Sequence, residues 1–357
     1  MANYEQYFHE LVDGKREGLQ DRLLLGGLKF LSLFYSLVLR LRAFAYGVGL
    51  LPSHRLPRPV ISVGNLMVGG TGKTPMVSWL ASYLIGKGKR VVVLSRGYGG
   101  SSRGEIRLVS DGETCVLSPE EAGDEPVLLA KTVPGLVVVI GADRYRAGMY
   151  ALETLKPDIF ILDDGFQHIR LQRDLNILLT DSRRPFGNGF TLPAGLLREP
   201  VSAAGRADVV IATRTTSGMS IENPVPGKPF AMAAHTLVGM MPLEGGTLAP
   251  LSRLKGVRVM AFSGIADPGS FFDALEREGV PLVATLAFPD HSTYGDVELA
   301  AICRLRDSSN IAILITTGKD AVKLSQHKDR LGPCVVASLR MTFADAQPLE
   351  HALEKLL

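Results

Sequence analysis

No acidic residue occurs between Arg22 and Arg58, although six basic ones do: Arg22, Lys29, Arg40, Arg42, Arg55 and Arg58. The position of that charge matters more than its total, since a net charge of +3 is too small to imply a nucleic-acid partner. Cysteine is scarce too. Cys115, Cys303 and Cys334 are scattered, odd in number and without metal-ligand spacing, which suits three structural thiols in a reducing compartment and excludes a disulfide framework. Also missing is a long uninterrupted apolar run. Within the apolar region Leu23–Leu51, the longest uncharged piece without glycine is Phe30–Leu39, short against a hydrocarbon core of roughly 30 Å. The expectation is therefore against a spanning helix. A signal peptide is also disfavoured: Ala43-Phe44-Ala45 resembles a cleavage site, but Arg40 and Arg42 break the apolar region and a mostly polar segment precedes it.

What remains there is a helix with Leu, Phe and Tyr on one side and cations at its margin. Lys29 and Arg40 lie about three turns apart and share a face, whereas Arg42 falls past the expected helix end. Such a helix suits the headgroup region of an anionic membrane better than it suits packing on a core.

Elsewhere, 46% hydrophobic and 21% charged residues exclude a disordered chain, and 357 residues suffice for two domains. No internal repeat or low-complexity segment occurs. Runs rich in Val, Ile and Leu recur at 58–63, 90–94, 136–140, 158–162, 175–180 and 208–212, alternating with helical patterns. Strands this continuous in apolar residues are covered on both faces, so the expected fold is α/β, a doubly wound, mostly parallel sheet of the P-loop NTPase type. After the turn-forming Asn223–Pro229 a second series follows at 257–262, 282–286, 311–316 and 334–339. The expected organisation is an N-terminal membrane-associating segment (1–57), a nucleotide-binding core (58–225) and a smaller C-terminal α/β lobe (226–357).

The most informative stretch is Ile61-Ser62-Val63-Gly64-Asn65-Leu66-Met67-Val68-Gly69-Gly70-Thr71-Gly72-Lys73-Thr74. A buried strand, a glycine-rich loop and Gly-Lys-Thr opening a helix build a phosphate cradle from backbone N–H groups and the helix N-terminus. Gly69, Gly70, Thr71 and Gly72 would wrap the phosphates. Lys73 would reach the β- and γ-phosphates, and Thr74 would ligate magnesium. Met67 stands where the strict pattern has its first glycine. The absence of an Asn-Lys-x-Asp motif disfavours guanine. The second signal is Ile159-Phe160-Ile161-Leu162-Asp163-Asp164-Gly165-Phe166-Gln167-His168, an apolar strand feeding an acidic pair that suits a magnesium shell. Gln167 and His168 could orient a water, a nucleotide or a phosphate.

Weaker signals surround these two. Ser95-Arg96-Gly97-Tyr98-Gly99-Gly100 is a glycine loop in which Arg96 and Tyr98 offer phosphate and hydroxyl contacts. The acids of Gly123-Asp124-Glu125-Pro126 are either helix caps or a proton acceptor for an attacking hydroxyl. Arg144 and Arg198 could neutralise a transferring phosphoryl group or form surface ion pairs. His291 lies in a turn-rich stretch and, near a carboxylate, could relay a proton.

Together, Gly64–Pro75, Ser95–Gly99, Gly123–Pro126 and Asp163–His168 resemble the tetraacyldisaccharide 4′-kinase (lipid A 4′-kinase) family, and Arg198-Glu199-Pro200 and Asp290-His291 extend the match. The resemblance implies ATP-dependent phosphorylation, with magnesium, of the 4′-hydroxyl of an acylated glucosamine disaccharide 1-phosphate. It implies Asp124 as base paired with His291, and Asp163, Asp164 and Glu199 around magnesium. Asn65, Tyr98, Arg144, Gln167, His168 and Arg198 are the expected substrate contacts. By the same resemblance, the N-terminal helix would associate with the anionic cytoplasmic face of the bacterial inner membrane. No nucleic acid and no obligate protein partner is expected, and Met1–Gln20 matches no family motif. The rival functions are a membrane-associated P-loop ATPase switch and a soluble kinase for a small metabolite.

Overall fold

The computed structural model describes residues 2–102, 104–216 and 218–357, with side chains from Gln6 onward. Among these residues twelve strands form one continuous sheet in the order β10-β9-β11-β12-β8-β7-β6-β1-β5-β2-β4-β3. The strands are β1 (Val60–Asn65), β2 (Val91–Ser95), β3 (Arg107–Asp111), β4 (Val137–Ile140), β5 (Ile159–Asp163), β6 (Leu175–Asp181), β7 (Val209–Thr213), β8 (Phe230–Pro242), β9 (Val259–Ser263), β10 (Leu282–Ala287), β11 (Ile313–Thr317) and β12 (Cys334–Phe343). The helices are α1 (Ala2–Val12), α2 (Leu19–Gly47), α3 (Lys73–Gly86), α4 (Pro119–Ala122), α5 (Asp124–Thr132), α6 (Arg144–Leu155), α7 (Pro268–Arg277), α8 (Asp296–Ser308), α9 (Gly318–Leu324), α10 (Lys328–Leu331) and α11 (Gln347–Glu354).

Every residue of β1, β2, β4, β5 and β7 is buried, as expected of parallel strands covered by helices on both faces. The edge strand β10 instead alternates half-buried and exposed. Pairing is parallel except at β3–β4 and β8–β12. β1 lies between β5 and β6, and the chain leaves it toward β2 on one side but enters β6 from β5 on the other. That reversal opens a crevice at the strand carboxyl ends, where α/β sheets collect ligands.

Two strands escape the sequence pattern. β3 is an edge strand with two half-buried positions and an exposed Asp111. β8 reads Phe-Ala-Met-Ala-Ala-His, with few β-branched residues, and is held by tertiary pairing rather than propensity. β8 is also the seam of the molecule. Phe230–Met232 pair with β7, and Ala233–Pro242 pair with β12, so the sheet runs unbroken across the boundary expected near residue 225. Furthermore, Val322, Met341, Leu349 and Leu353 pack into the same core as β1, β6, β7 and α3, so the end of the chain returns to the N-terminal half.

α2 is longer than the sequence suggests. It continues through Gly26-Gly27 and past Arg42 to Gly47, giving 29 residues that by length and composition could cross a membrane. An interior glycine costs a helix about 1 kcal/mol, too little to break one this apolar. Its polar stripe faces the protein. Ser32 is buried, and both Ser32 and Ser36 hydroxyls lie 2.9 Å from Thr191 Oγ1, while the Lys29 ammonium sits 5.1 Å from the centre of the Phe190 ring. Leu23, Leu31, Phe34, Leu37, Val38 and Leu41 face outward, exposed.

Candidate active site

Three of the sequence motifs meet at the carboxyl ends of β1, β2 and β5. Gly64 closes this junction, since a Cβ there would stand 2.8 Å from both the Cβ and the backbone nitrogen of Phe166. The loop then climbs through exposed Gly69 and Gly70 to Gly72, whose φ of 79° makes it the left-handed N-cap of α3. A side chain at Gly72 would be strained and would collide with the His235 ring. The Thr71 carbonyl is fixed by the Thr213 hydroxyl at 2.9 Å. Lys73 and Thr74 occupy the first turn of α3, where unpaired N–H groups and the helix dipole favour an anion.

Asp163 ends β5, is 3% exposed and accepts from Ser95 Oγ at 3.0 Å, while its Oδ1 has no partner. Burial, then the charges of Glu125 and Asp164, push its carboxyl up to about 7. Asp164 follows with a φ of 49°, a left-handed conformation that Asp tolerates better than most residues. Its carboxylate lies 3.7 Å from Lys73 Nζ and accepts from Arg198 Nη1 at 2.7 Å. The donor set fits magnesium: Asp163 Oδ1 and Asp164 Oδ1 are buried, make no hydrogen bond and are hard ligands, and this ion takes few carboxylates and fills its shell with water and phosphate. No group of three or more His, Cys, Asp or Glu side chains able to hold a metal occurs among the described residues.

Across the crevice, Asp124 opens α5. Its Oδ2 lies 3.2 Å from His291 Nδ1 and 3.1 Å from Lys323 Nζ. Burial raises its pKa, but the hydrogen bonds and charges of His291 and Lys323 outweigh that and hold it below the usual carboxylate range. His291 Nε2 is 3.3 Å from Lys319 Nζ, which also donates to Asp290 at 3.0 Å. An ammonium has only protons to offer, so Nε2 is the lone-pair nitrogen and Nδ1–H donates to Asp124. Tyr98 is exposed, its ring 6.4 Å from that of His291, and its backbone carbonyl packs on Gly123.

The remaining expected residues are placed less simply. Arg144 is buried at the start of α6, donating to the carbonyls of Gly141 and Ala142, and burial lowers its pKa to about 10. Asn65 is fully buried. Its side-chain amide donates to the Met67 carbonyl and its backbone carbonyl accepts from Gln167 Nε2, so both side chains shape the loop from below. His168 has a buried, unpartnered Nε2, and burial together with Arg144 and Arg173 lowers its pKa to about 4. Glu199 is paired with Arg206, which also covers the Phe166 ring, and makes no hydrogen bond or ion pair with Asp163, Asp164 or Thr74. Arg198 thus pairs with Asp164, and the neighbouring Glu199 pairs with Arg206.

Sequence reasoning missed Lys319, Asp320 and Lys323. They follow β11 in Thr316-Thr317-Gly318-Lys319-Asp320, which reads as an ordinary helix cap, and Thr317 does accept from the Asp320 N–H. The available signal was position, a polar Gly-Lys-Asp directly after an apolar strand, as at β1 and β5.

A mostly parallel sheet with polar side chains gathered at its strand ends, and residues of the C-terminal half reaching Asp124, belongs to the α/β class, in which ligands collect at the strand carboxyl ends. The particular kind follows from comparison. The family model for tetraacyldisaccharide-1-P 4′-kinase matches residues 25–357. A tetraacyldisaccharide 4′-kinase of Geobacter sulfurreducens is 56% identical over 353 residues, covering 98% of this chain and 99% of the relative. One from Pelobacter propionicus is 53% identical over 352 residues, covering 98% of each. A crystal structure of "apo" form LpxK from Aquifex aeolicus in complex with ATP superposes with a TM-score of 0.80 at 36% identity, covering 93% of this chain and 99% of that one. The chain belongs to the tetraacyldisaccharide-1-P 4′-kinase family, and is thus a kinase of lipid A biosynthesis.

Proposed function

We propose that this cleft transfers the γ-phosphoryl group of ATP to the 4′-hydroxyl of a tetraacylated glucosamine disaccharide 1-phosphate, with Asp124 receiving the hydroxyl proton. The observation that carries the reading is the pairing of Lys73, at the start of α3, with Asp164, just after β5, alongside the pairing of Asp124 with His291 from the C-terminal half. The loop Gly69–Thr74 holds the phosphates, and Lys73 faces the charge that gathers on the γ-phosphoryl oxygens. Thr74, Asp163 and Asp164 would hold magnesium, which would supply neutralisation of phosphate charge. Arg198, fixed on Asp164, adds a second cation at the same place.

In the step itself, the 4′-oxygen bonds to the γ-phosphorus while the bond to the β–γ bridging oxygen breaks, leaving ADP. The hydroxyl proton passes to Asp124. A carboxylate held below its usual pKa is a weak base, but a loose transition state asks for the proton late, when the new bond has made the hydroxyl acidic. The outward Leu and Phe surface of α2, with exposed Arg40 beside it, supports binding to the anionic cytoplasmic face of the inner membrane, where an acylated acceptor resides.

The test is transfer of labelled γ-phosphate to a tetraacyldisaccharide 1-phosphate in detergent micelles. Lys73→Ala should reduce transfer by roughly 10³-fold. Hydrolysis of ATP with no lipid product would favour the ATPase switch instead. For the membrane reading, the full chain carrying Phe34→Glu and Leu37→Glu should be released from anionic vesicles. Undiminished binding would move the contact elsewhere.

A further inference from the structure

Asp320 is a fully buried carboxylate with no basic partner within ion-pair distance among the described residues. Such a group is expensive to bury unless donors surround it. Its Oδ1 accepts from Tyr294 OH at 2.7 Å and from the Gly264 N–H at 3.1 Å, and its Oδ2 from Thr317 Oγ1 at 2.6 Å and Ser263 Oγ at 3.0 Å. These donors come from the carboxyl ends of β9 and β11 and from the turn after β10. A helix cap formed with Thr317 needs none of the donations from Tyr294, Gly264 and Ser263.

The turn so held is the one that carries His291. His291 and Tyr294 both have positive φ, 60° and 55°, a region that non-glycine residues enter only where the surroundings enforce it. Two attachments enforce it here. The His291 N–H donates to the Gly264 carbonyl at 3.2 Å, and the buried Tyr294 hydroxyl anchors the far end of the turn. Both attachments lead back to Asp320 Oδ1. We propose that Asp320, acting through Gly264 and Tyr294, is the positioning residue that sets His291 against Asp124. The inference rests on the reading of Asp124 and His291 as the proton-handling pair.

Its test is a pair of kinetic cycles on the full-length enzyme in micelles. Tyr294→Phe removes only the hydroxyl. It should lower kcat roughly 10-fold, since small misplacements of catalytic groups have effects up to about 10², and leave the KM for ATP unchanged. In a His291→Ala background the same change should have no further effect on kcat. Asp320→Asn should lose at least as much as Tyr294→Phe, and the double variant no more than Asp320→Asn alone. Thermal midpoints of all variants separate lost positioning from lost folding, and Tyr294→Phe carries the test if Asp320→Asn is unstable. Normal turnover of Tyr294→Phe, or losses that multiply with His291→Ala, would overturn the proposal. If Asp124→Ala kept its turnover while the cycles stayed non-additive, the base assignment would fall and the positioning of His291 would stand.

Discussion

The two walls of the cleft are built in opposite ways. On the glycine-loop wall, each group sits at a strand end or in the loop and helix turn that follow a strand, and the backbone makes much of the arrangement: Gly64 admits Phe166, and Gly72 turns the chain into α3. On the other wall the groups are side chains brought together over long distances. Asp124, His291 and Lys323 meet although 167 and 199 residues separate Asp124 from the other two. A backbone site must be written in consecutive residues, because conformation is local. A side-chain site need not be, because the sheet does the assembling.

The sharpest way to break this comparison is at Asp124, which both halves share: N-terminal by position, but dressed by His291 and Lys323 from the C-terminal lobe. Asp124→Ala should reduce turnover by roughly 10²–10⁴-fold while leaving ATP binding nearly unchanged, because its hydrogen bonds and ion pairs among the described residues go to His291 and Lys323 and not to Gly69–Thr74. Kinetics of phosphate transfer and a nucleotide titration check the two parts separately. A comparable loss of ATP affinity would mean that the walls are not separable and that α5 helps hold the loop.

What the sequence made legible follows the same division. The glycine loop opening α3 at Lys73 and the acidic pair at the end of β5 could be read in place because glycine spacing and an apolar strand announce them. The contact of Asp124 with His291 could be suspected only through resemblance, and Lys319, Asp320 and Lys323 not at all, since Thr317 and Asp320 look like a helix cap and are one. The fold divides likewise. Strands buried on both faces, such as β1 and β5, are obvious from composition. β8 is not, because Ala233, Ala234 and His235 become strand only by pairing with Phe343, Thr342 and Met341. α2 misleads for a related reason: Ser32 and Ser36 in its middle dock on Thr191, and Gly26 and Gly27, which look like breaks, meet no other side chain or backbone.

A smaller effect tests the seam between the walls. His235 lies on β8, the strand both halves use, with its Nε2 buried, unpartnered and close against Gly72. Burial, then the charge of Arg214, lowers its pKa from 6.5 to about 4. The unfolded chain therefore binds a proton near its ordinary pKa that the folded chain refuses until the pH is much lower. Stability contributed by the neutral ring is fully present above 6.5 and is lost as the pH falls from there toward about 4. His168 shifts in the same direction, so replacing one ring lessens the acid sensitivity without abolishing it. His235→Gln should recover about 1–3 kcal/mol of the stability difference between roughly pH 7 and pH 4.5, measured by urea unfolding. If wild type and variant lose stability in parallel, His235 protonates as readily in the folded protein as in the unfolded one. The loop would then have to open away from β8 in solution, and the nucleotide wall would be mobile just where it meets the lobe.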